Sequence, residues 1–227
     1  MKVKIHREGT NILLILLLVL AVVNTSAWLF IKVVAIPIVF TAISAVIYLL
    51  VLNFYRSPRR RFDGDNAPDL VVSSVDGKVV AVEETVEPEY LKCRCIQLSV
   101  FMSPLNVHAN WFPVNGKVLE VRHFAGRFMS AFLPKSSIEN EHSSVLIRTN
   151  AGPDVVVNQV AGALARRIVT YPHAGDEASI EQHMGFIKLG SRVDIYLPLD
   201  AKVLVKVGDK TVGGITPVAC LPTTVSQ

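Results

Sequence analysis

From Ile12 to Leu52 the only ionised residue is Lys32. No other feature restricts the possible folds so strongly. One membrane crossing takes about 20 apolar residues, so the run holds one long span or two short ones. Two fit better. Asn24-Thr25-Ser26 interrupts the apolarity, and Lys32 and Pro37 follow. Lys2, Lys4 and Arg7 precede the run, and Arg56, Arg59, Arg60 and Arg61 follow it. Positive charge stays cytoplasmic, so both ends lie on one side and the number of crossings is even. A transmembrane α-hairpin over residues 1–55 satisfies this, and so does a re-entrant pair. A first span ending at Val23 would be short. The run is too long for the apolar region of a signal peptide. A buried core hairpin does not need so long a charge-poor stretch. These flanks put the anchor in the cell (inner) membrane, with the rest of the chain facing the cytoplasm.

Residues 56–69 read as a basic linker, with Pro58, Gly64 and Pro68 among charged residues. Its arginines fit two roles, attraction of anionic headgroups and setting of topology. The formal charge of +4 has no aromatic-basic interleaving around it, so no nucleic-acid partner is expected. Cys93, Cys95 and Cys220 make no disulfide framework. If Cys93-Arg94-Cys95 lies in a strand, both thiols share a face. A lone pair of this kind is a poor zinc site, and reduced thiols suit a cytosolic domain.

Residues 70–227 read as one mainly β domain with few helices, barrel-like or sandwich-like. Val71 to Val82 is β-branched and bent at Asp76-Gly77, a hairpin or turn signal. Cys95–Met102, Gly116–Val121, Ser144–Arg148 and Val155–Asn158 are strand-like, and short strands follow from Arg192 to Leu221. Only Val160–Val169 could form a helix, and strand is open there too. Asn115-Gly116 and Gly213-Gly214 mark turns.

The sequence holds no P-loop, no dinucleotide fingerprint, no zinc-protease helix and no nucleophile elbow. Its six histidines show no metal-ligand spacing, and no metal is expected. What remains is Asp76 at a turn, His108 in the loop from Phe101 to Pro113, and the Gly190-Ser191 pair before an alternating segment. Taken singly, each is ordinary: a turn carboxylate, a packed histidine, a loop. A serine that attacks its own preceding carbonyl turns the amide into an ester. Elimination then breaks the chain and leaves a pyruvoyl group. A glycine before the serine leaves that carbonyl approachable.

Six blocks in one order carry a resemblance. They are Phe54 to Arg60, Val71 to Val79, Phe101 to Pro113, Lys135 with Glu139-Asn140-Glu141, Gln159 to Ile168, and Gly185 to Asp194. Together they resemble the phosphatidylserine decarboxylases, particularly the short, archaeal-type branch. The resemblance implies a pyruvoyl-dependent lyase of phospholipid biosynthesis, made as a zymogen. It implies autocatalytic cleavage between Gly190 and Ser191 into a β chain, 1–190, and an α chain, 191–227. Ser191 would become the covalent pyruvoyl cofactor and form a Schiff base with the amine of phosphatidylserine, giving phosphatidylethanolamine. By the same resemblance Asp76 serves self-cleavage and His108 is the proton donor in decarboxylation. The implied partners are the phospholipid substrate, the bilayer and a second copy in a homodimer.

The chain departs from the longer members of that family at two positions. Trp111 stands where they carry a second histidine, and Asn106 where they carry an aspartate. What activates Ser191 is therefore open: Asp76 with His108, water, or backbone strain. Arg166, Arg167 and Arg192 are candidates for the lipid phosphate by charge alone, with structural ion pairs as the alternative. The competing functional reading is a membrane-anchored β module, carrier-like or adaptor-like, with no reaction of its own.

Overall fold

The structure is a computed structural model that describes residues 3–65, 67–127, 129, 139–162, 167–188 and 190–222. It forms two compact units, Met1–Arg59 and Arg60–Gln227. Arg166 and Lys135 lie outside the described residues.

The first unit is a helical hairpin. Strand β1 (Val3–Ile5) leads into α1 (Arg7–Phe30), and α2 (Ala35–Phe54) leads into β2 (Arg56–Pro58). At 1.5 Å per residue the helices are about 36 and 30 Å long, enough to cross a hydrocarbon core. Both are apolar over a full crossing length and little of either is buried. Leu14, Leu18, Leu29 and Phe30 expose more than half of their surface, as lipid-facing side chains do.

Asn24-Thr25-Ser26 does not break α1. Asn24 donates to Leu20 O at 2.7 Å and to Ser44 Oγ of α2 at 2.9 Å. Trp28 Nε1 donates to Thr41 Oγ1 at 3.2 Å. Polar side chains inside an apolar helix find partners across the helix pair, so they join the spans. The reversal comes at residues 31–34, around Lys32, and Pro37 sits in the first turn of α2, where a missing N–H costs little. At the other end β1 and β2 pair antiparallel, with Ile5 opposite Arg56. The expected linker thus begins as strand, in Arg56–Pro58.

The second unit is mainly β. Its centre is an eight-stranded antiparallel sheet. Along the chain its strands are β4 (Gly77–Val86), β5 (Arg94–Met102), β7 (Gly116–Phe124), β8 (His142–Thr149), β9 (Asp154–Val160), β11 (Glu177–Ala178), β13 (Ser191–Leu197) and β15 (Lys210–Thr211). Their spatial order is β11-β7-β8-β9-β13-β5-β4-β15. Two three-stranded sheets accompany it. One contains β3 (Leu70–Val72), β14 (Lys202–Val203) and β16 (Pro217–Cys220). The other contains β6 (Ala109–Trp111), β10 (Ile168–Thr170) and β12 (His183–Ile187).

Alternation explains how these layers close. Val193, Ile195 and Leu197 of β13 join Leu98 and Val100 of β5 and Val155 and Val157 of β9 on one face. Val71, Val218 and Ala219 from one small sheet, and Met184 and Ile187 from the other, pack into the same core. The result is sandwich-like, as the short alternating strands suggest. The second face is covered as well. There Cys95, Val156 and Tyr196 cluster with Tyr90 and Leu91.

Two local expectations change. Asp76-Gly77 is not a hairpin, because β3 pairs with β16 while β4 pairs with β5 and β15. It is the corner at which the chain passes between sheets. Cys93 and Cys95 do not share a face, since β5 starts at Arg94, leaving Cys93 exposed and Cys95 buried. Of Val160–Val169, Val160 ends β9 and Ile168 begins β10, while 163–166 lie outside the described residues.

Candidate active site

Ser191 is the first residue of β13, which lies in the middle of the large sheet between β5 and β9. It stands opposite Met102, the last residue of β5. Alternation puts its side chain on the core face with Val193 and Ile195. Its hydroxyl is fully buried, and among the described residues Ser191 Oγ has no hydrogen-bond partner. A buried polar group without a partner costs free energy, so such groups are rare outside functional places. Gly190 precedes it at φ +64, and among the described residues nothing beyond its chain neighbours lies within 4 Å of where a β-carbon would sit. The Gly190–Ser191 peptide is thus held in a left-handed turn, with open space among the described residues on the side of that missing β-carbon.

The other two residues read from the sequence reach the same end of the sheet. The loop to His108 leaves from Met102. Asn106 closes it, its Oδ1 accepting from Ser103 N at 2.9 Å and from Ser103 Oγ at 2.7 Å. Thus Asn106 builds the loop and does not supply a charge. His108 is fully buried, and its Nδ1 lies 3.0 Å from Asn106 O. A carbonyl only accepts, so Nδ1 donates there, and proton exchange falls to Nε2. The next strand, β6, is pinned to β12 by Ile187 N donating to His108 O at 3.3 Å. Behind it Gln159 Nε2 donates to Asn110 Oδ1 at 2.6 Å, and Thr170 Oγ1 donates to Gln159 Oε1 at 2.7 Å.

Asp76 comes to this end from β4. Lys78, Phe101 and Arg192 align across β4, β5 and β13, which sets Gly77 level with Ser191. A side chain on Gly77 would run into the Phe101 carbonyl oxygen, so only glycine lets β4 start this close. Gly77 is therefore about 10 Å from Ser191 across the sheet, two strand spacings away, and Asp76 is the residue just before it. Among the described residues no hydrogen bond joins the side chains of Asp76 and Ser191.

The Asp76 carboxylate is held by a residue the sequence reading did not place in the site. Arg60 Nη1 donates to Asp76 Oδ1 at 2.6 Å and Nη2 to Oδ2 at 2.7 Å. Arg60 Nη1 also donates to Gly213 O at 2.7 Å, and Gly213 N donates to Asp76 Oδ1 at 2.9 Å. The guanidinium carbon lies 4.2 Å from the centre of the Trp111 ring, which also meets the His183 ring in a T-shaped arrangement, centroids 4.7 Å apart. Trp111 thus covers an ion pair. Arg60 does not belong with the headgroup-facing arginines, because its side chain is only 5% exposed. A basic run hides such a residue in sequence.

Arg192 is not placed to bind substrate beside Ser191. It points to the opposite face and forms a buried ion pair with Asp194, Nε to Oδ1 2.9 Å. The pair is 2% and 0% exposed at the side chains. Arg167 is exposed at the start of β10. Among the described residues no cluster of histidine, cysteine or carboxylate could hold a metal.

A buried serine after a left-handed glycine and a buried histidine with a committed Nδ1 thus stand at one end of the large sheet. Comparison with known proteins gives the family. The family profile of phosphatidylserine decarboxylase matches residues 47–219. A phosphatidylserine decarboxylase proenzyme of Parabacteroides distasonis is 50% identical over 96% of this chain and 99% of its own length. That of Porphyromonas gingivalis is 48% identical over 96% and 99%. That of Polynucleobacter asymbioticus is 46% identical over 78% of this chain and 80% of its own. The chain belongs to the phosphatidylserine decarboxylase family. Membership disfavours the carrier-like or adaptor-like module.

Proposed function

We propose that this chain decarboxylates phosphatidylserine to phosphatidylethanolamine with an electrophile made from its own Ser191. The observation that carries the reading is the buried, unpartnered Ser191 hydroxyl immediately after Gly190 in its left-handed turn. These residues fit the formation of a pyruvoyl group. Ser191 Oγ adds to the Gly190 carbonyl carbon, the amide C–N bond breaks, and the proton passes from Oγ to the released nitrogen. Loss of the Ser191 α-proton then breaks the new ester C–O bond and frees the Gly190 carboxylate. Water replaces the nitrogen at Ser191, ammonia leaves, and the ketone remains. Intramolecular attack has a large proximity advantage, so modest activation suffices.

When formed, the group supplies a carbonyl that takes the substrate amine and accepts the electron pair freed as carbon dioxide leaves. His108 acts on the substrate carbon. With Nδ1 committed to Asn106 O, Nε2 carries the proton that this carbon takes up. Burial of both residues keeps bulk water from competing for it.

The same reading sets α1 and α2 in the cell's inner membrane, with the enzyme unit on the cytoplasmic side. Lys4 and Arg7 before the hairpin, and Arg56 and Arg59 after it, support that orientation. It also includes a homodimer, whose mass native electrophoresis would give. The central test is a denaturing gel with intact-mass measurement of purified protein. Two chains, 1–190 and 191–227, are expected, the smaller with a blocked N-terminus. Ser191→Ala should stay whole and inactive. An active preparation made only of intact chain would overturn the reading.

A further inference from the structure

We propose that Arg60 is a positioning residue for maturation, acting through Asp76. The inference rests on the reading that Ser191 is self-cleaved with the help of Asp76. Three constraints converge on one carboxylate. The Arg60 fork engages both of its oxygens, at 2.6 and 2.7 Å. The Gly213 N–H engages Oδ1 a second time. The Trp111 ring lies 4.2 Å from the guanidinium carbon, and the Arg60 side chain is only 5% exposed.

The consequence is directional. Oδ1 is saturated, while Oδ2 keeps a lone pair for a further donor. Asp76 cannot rotate that lone pair away without losing the fork. A planar guanidinium fixes a carboxylate in a way that an ammonium cannot. The same guanidinium grips Gly213 O. Gly213 belongs to the segment from Ser191 onward, so Arg60 ties the scissile serine's own chain to the Asp76 corner.

The test is a cleavage time course on full-length protein, with thermal unfolding measured alongside. The variants are Arg60→Gln, Arg60→Lys, Asp76→Asn and the double Arg60→Gln/Asp76→Asn. Asp76→Asn and Arg60→Gln should each slow cleavage about a hundredfold, the lower end of what a positioned acid or base contributes. Arg60→Lys should recover part of the rate. The double variant should be no slower than Asp76→Asn, because both changes remove one interaction.

A purely structural Arg60 behaves differently. Removing it alone strands a partly buried charge, whereas removing both partners relieves that cost. The unfolding temperature would then recover in the double variant, the folded fraction of Arg60→Gln would cleave at the wild-type rate, and the proposal would fail. Cleavage of Arg60→Gln at the wild-type rate, or multiplied slowing in the double variant, would also overturn it. If Arg60→Gln does not fold, Arg60→Lys decides: folded and as fast as wild type counts against the fork. Failure of the underlying reading looks different, because Ser191→Ala would then be cut or wild type would stay whole.

Discussion

Ser191 opens strand β13 directly opposite Met102, the residue at which β5 ends and the His108 loop begins. One cross-strand pair therefore brings Ser191 and the loop histidine to the same edge. They are far apart in sequence, and neither is near Asp76, yet three adjacent strands deliver all three.

His108 should separate maturation from turnover. His108→Gln keeps a polar ring-sized group but cannot shuttle a proton. It is expected to yield cleaved protein whose decarboxylation rate is lower by about 10²–10⁴-fold, the contribution of a positioned proton donor. The measurement is carbon dioxide release by the cleaved variant, set beside its cleaved fraction on a gel. Unchanged turnover would remove His108 from the chemistry.

Gly190 should be replaceable in a defined order. Among the described residues no atom blocks an added β-carbon, so the obstacle is the positive φ. An L-residue pays roughly 1–2 kcal/mol there, and asparagine tolerates the region better than alanine or a branched residue. Cleavage rates are expected to fall from Gly to Asn to Ala to Val. Equal rates for Asn and Val would show that the left-handed turn is not needed for attack.

The Arg192–Asp194 pair should matter for stability. Asp194→Asn leaves the guanidinium buried without its charge partner, a loss of about 3–5 kcal/mol. Replacing both residues with neutral ones of similar volume should restore most of it. Denaturant titration of the full chain in detergent, followed by tryptophan fluorescence, gives the comparison. A small effect of Asp194→Asn would mean that the pair is hydrated in solution.

Cys93 and Cys95 should differ sharply toward alkylation. Burial pushes the Cys95 thiol up to about 11, against a lowering by a hydrogen bond with the Glu87 backbone. Thiolate is the reactive form, so at pH 8 only about one part in a thousand of Cys95 is ready to react. That fraction rises with pH until the thiol has ionised. Cys93 is exposed. Peptide mapping after iodoacetamide treatment should find Cys93 modified and Cys95 intact; equal labelling would mean that the β5 edge opens.

The apolar run from Ile12 to Leu52 was enough to declare a helical pair, because no soluble core asks for such a stretch. Alternation after Leu70 was enough for a mainly β domain. Within these elements the details were less legible. Asn24 reads as a break in sequence, yet it sits inside α1 and bonds Ser44, because an apolar surround drives a polar amide to the neighbouring helix. Asp76-Gly77 reads equally as a hairpin and a corner, because a turn signal does not say which strands its neighbours will join.

The sequence by itself determined the anchor, the β class and, through its ordered blocks, Gly190, Ser191, His108 and Asp76 as residues to watch. Only the tertiary structure decided what each one faces. Strand parity turned Arg192 away from Ser191 and paired it with Asp194. Register set Asp76 two strands from Ser191. Packing drew Arg60 out of a basic run to lie beneath Trp111 against Asp76. Local chemistry is written in residue types, but partners across a sheet follow from register and side-chain direction, which exist only once the strands have paired.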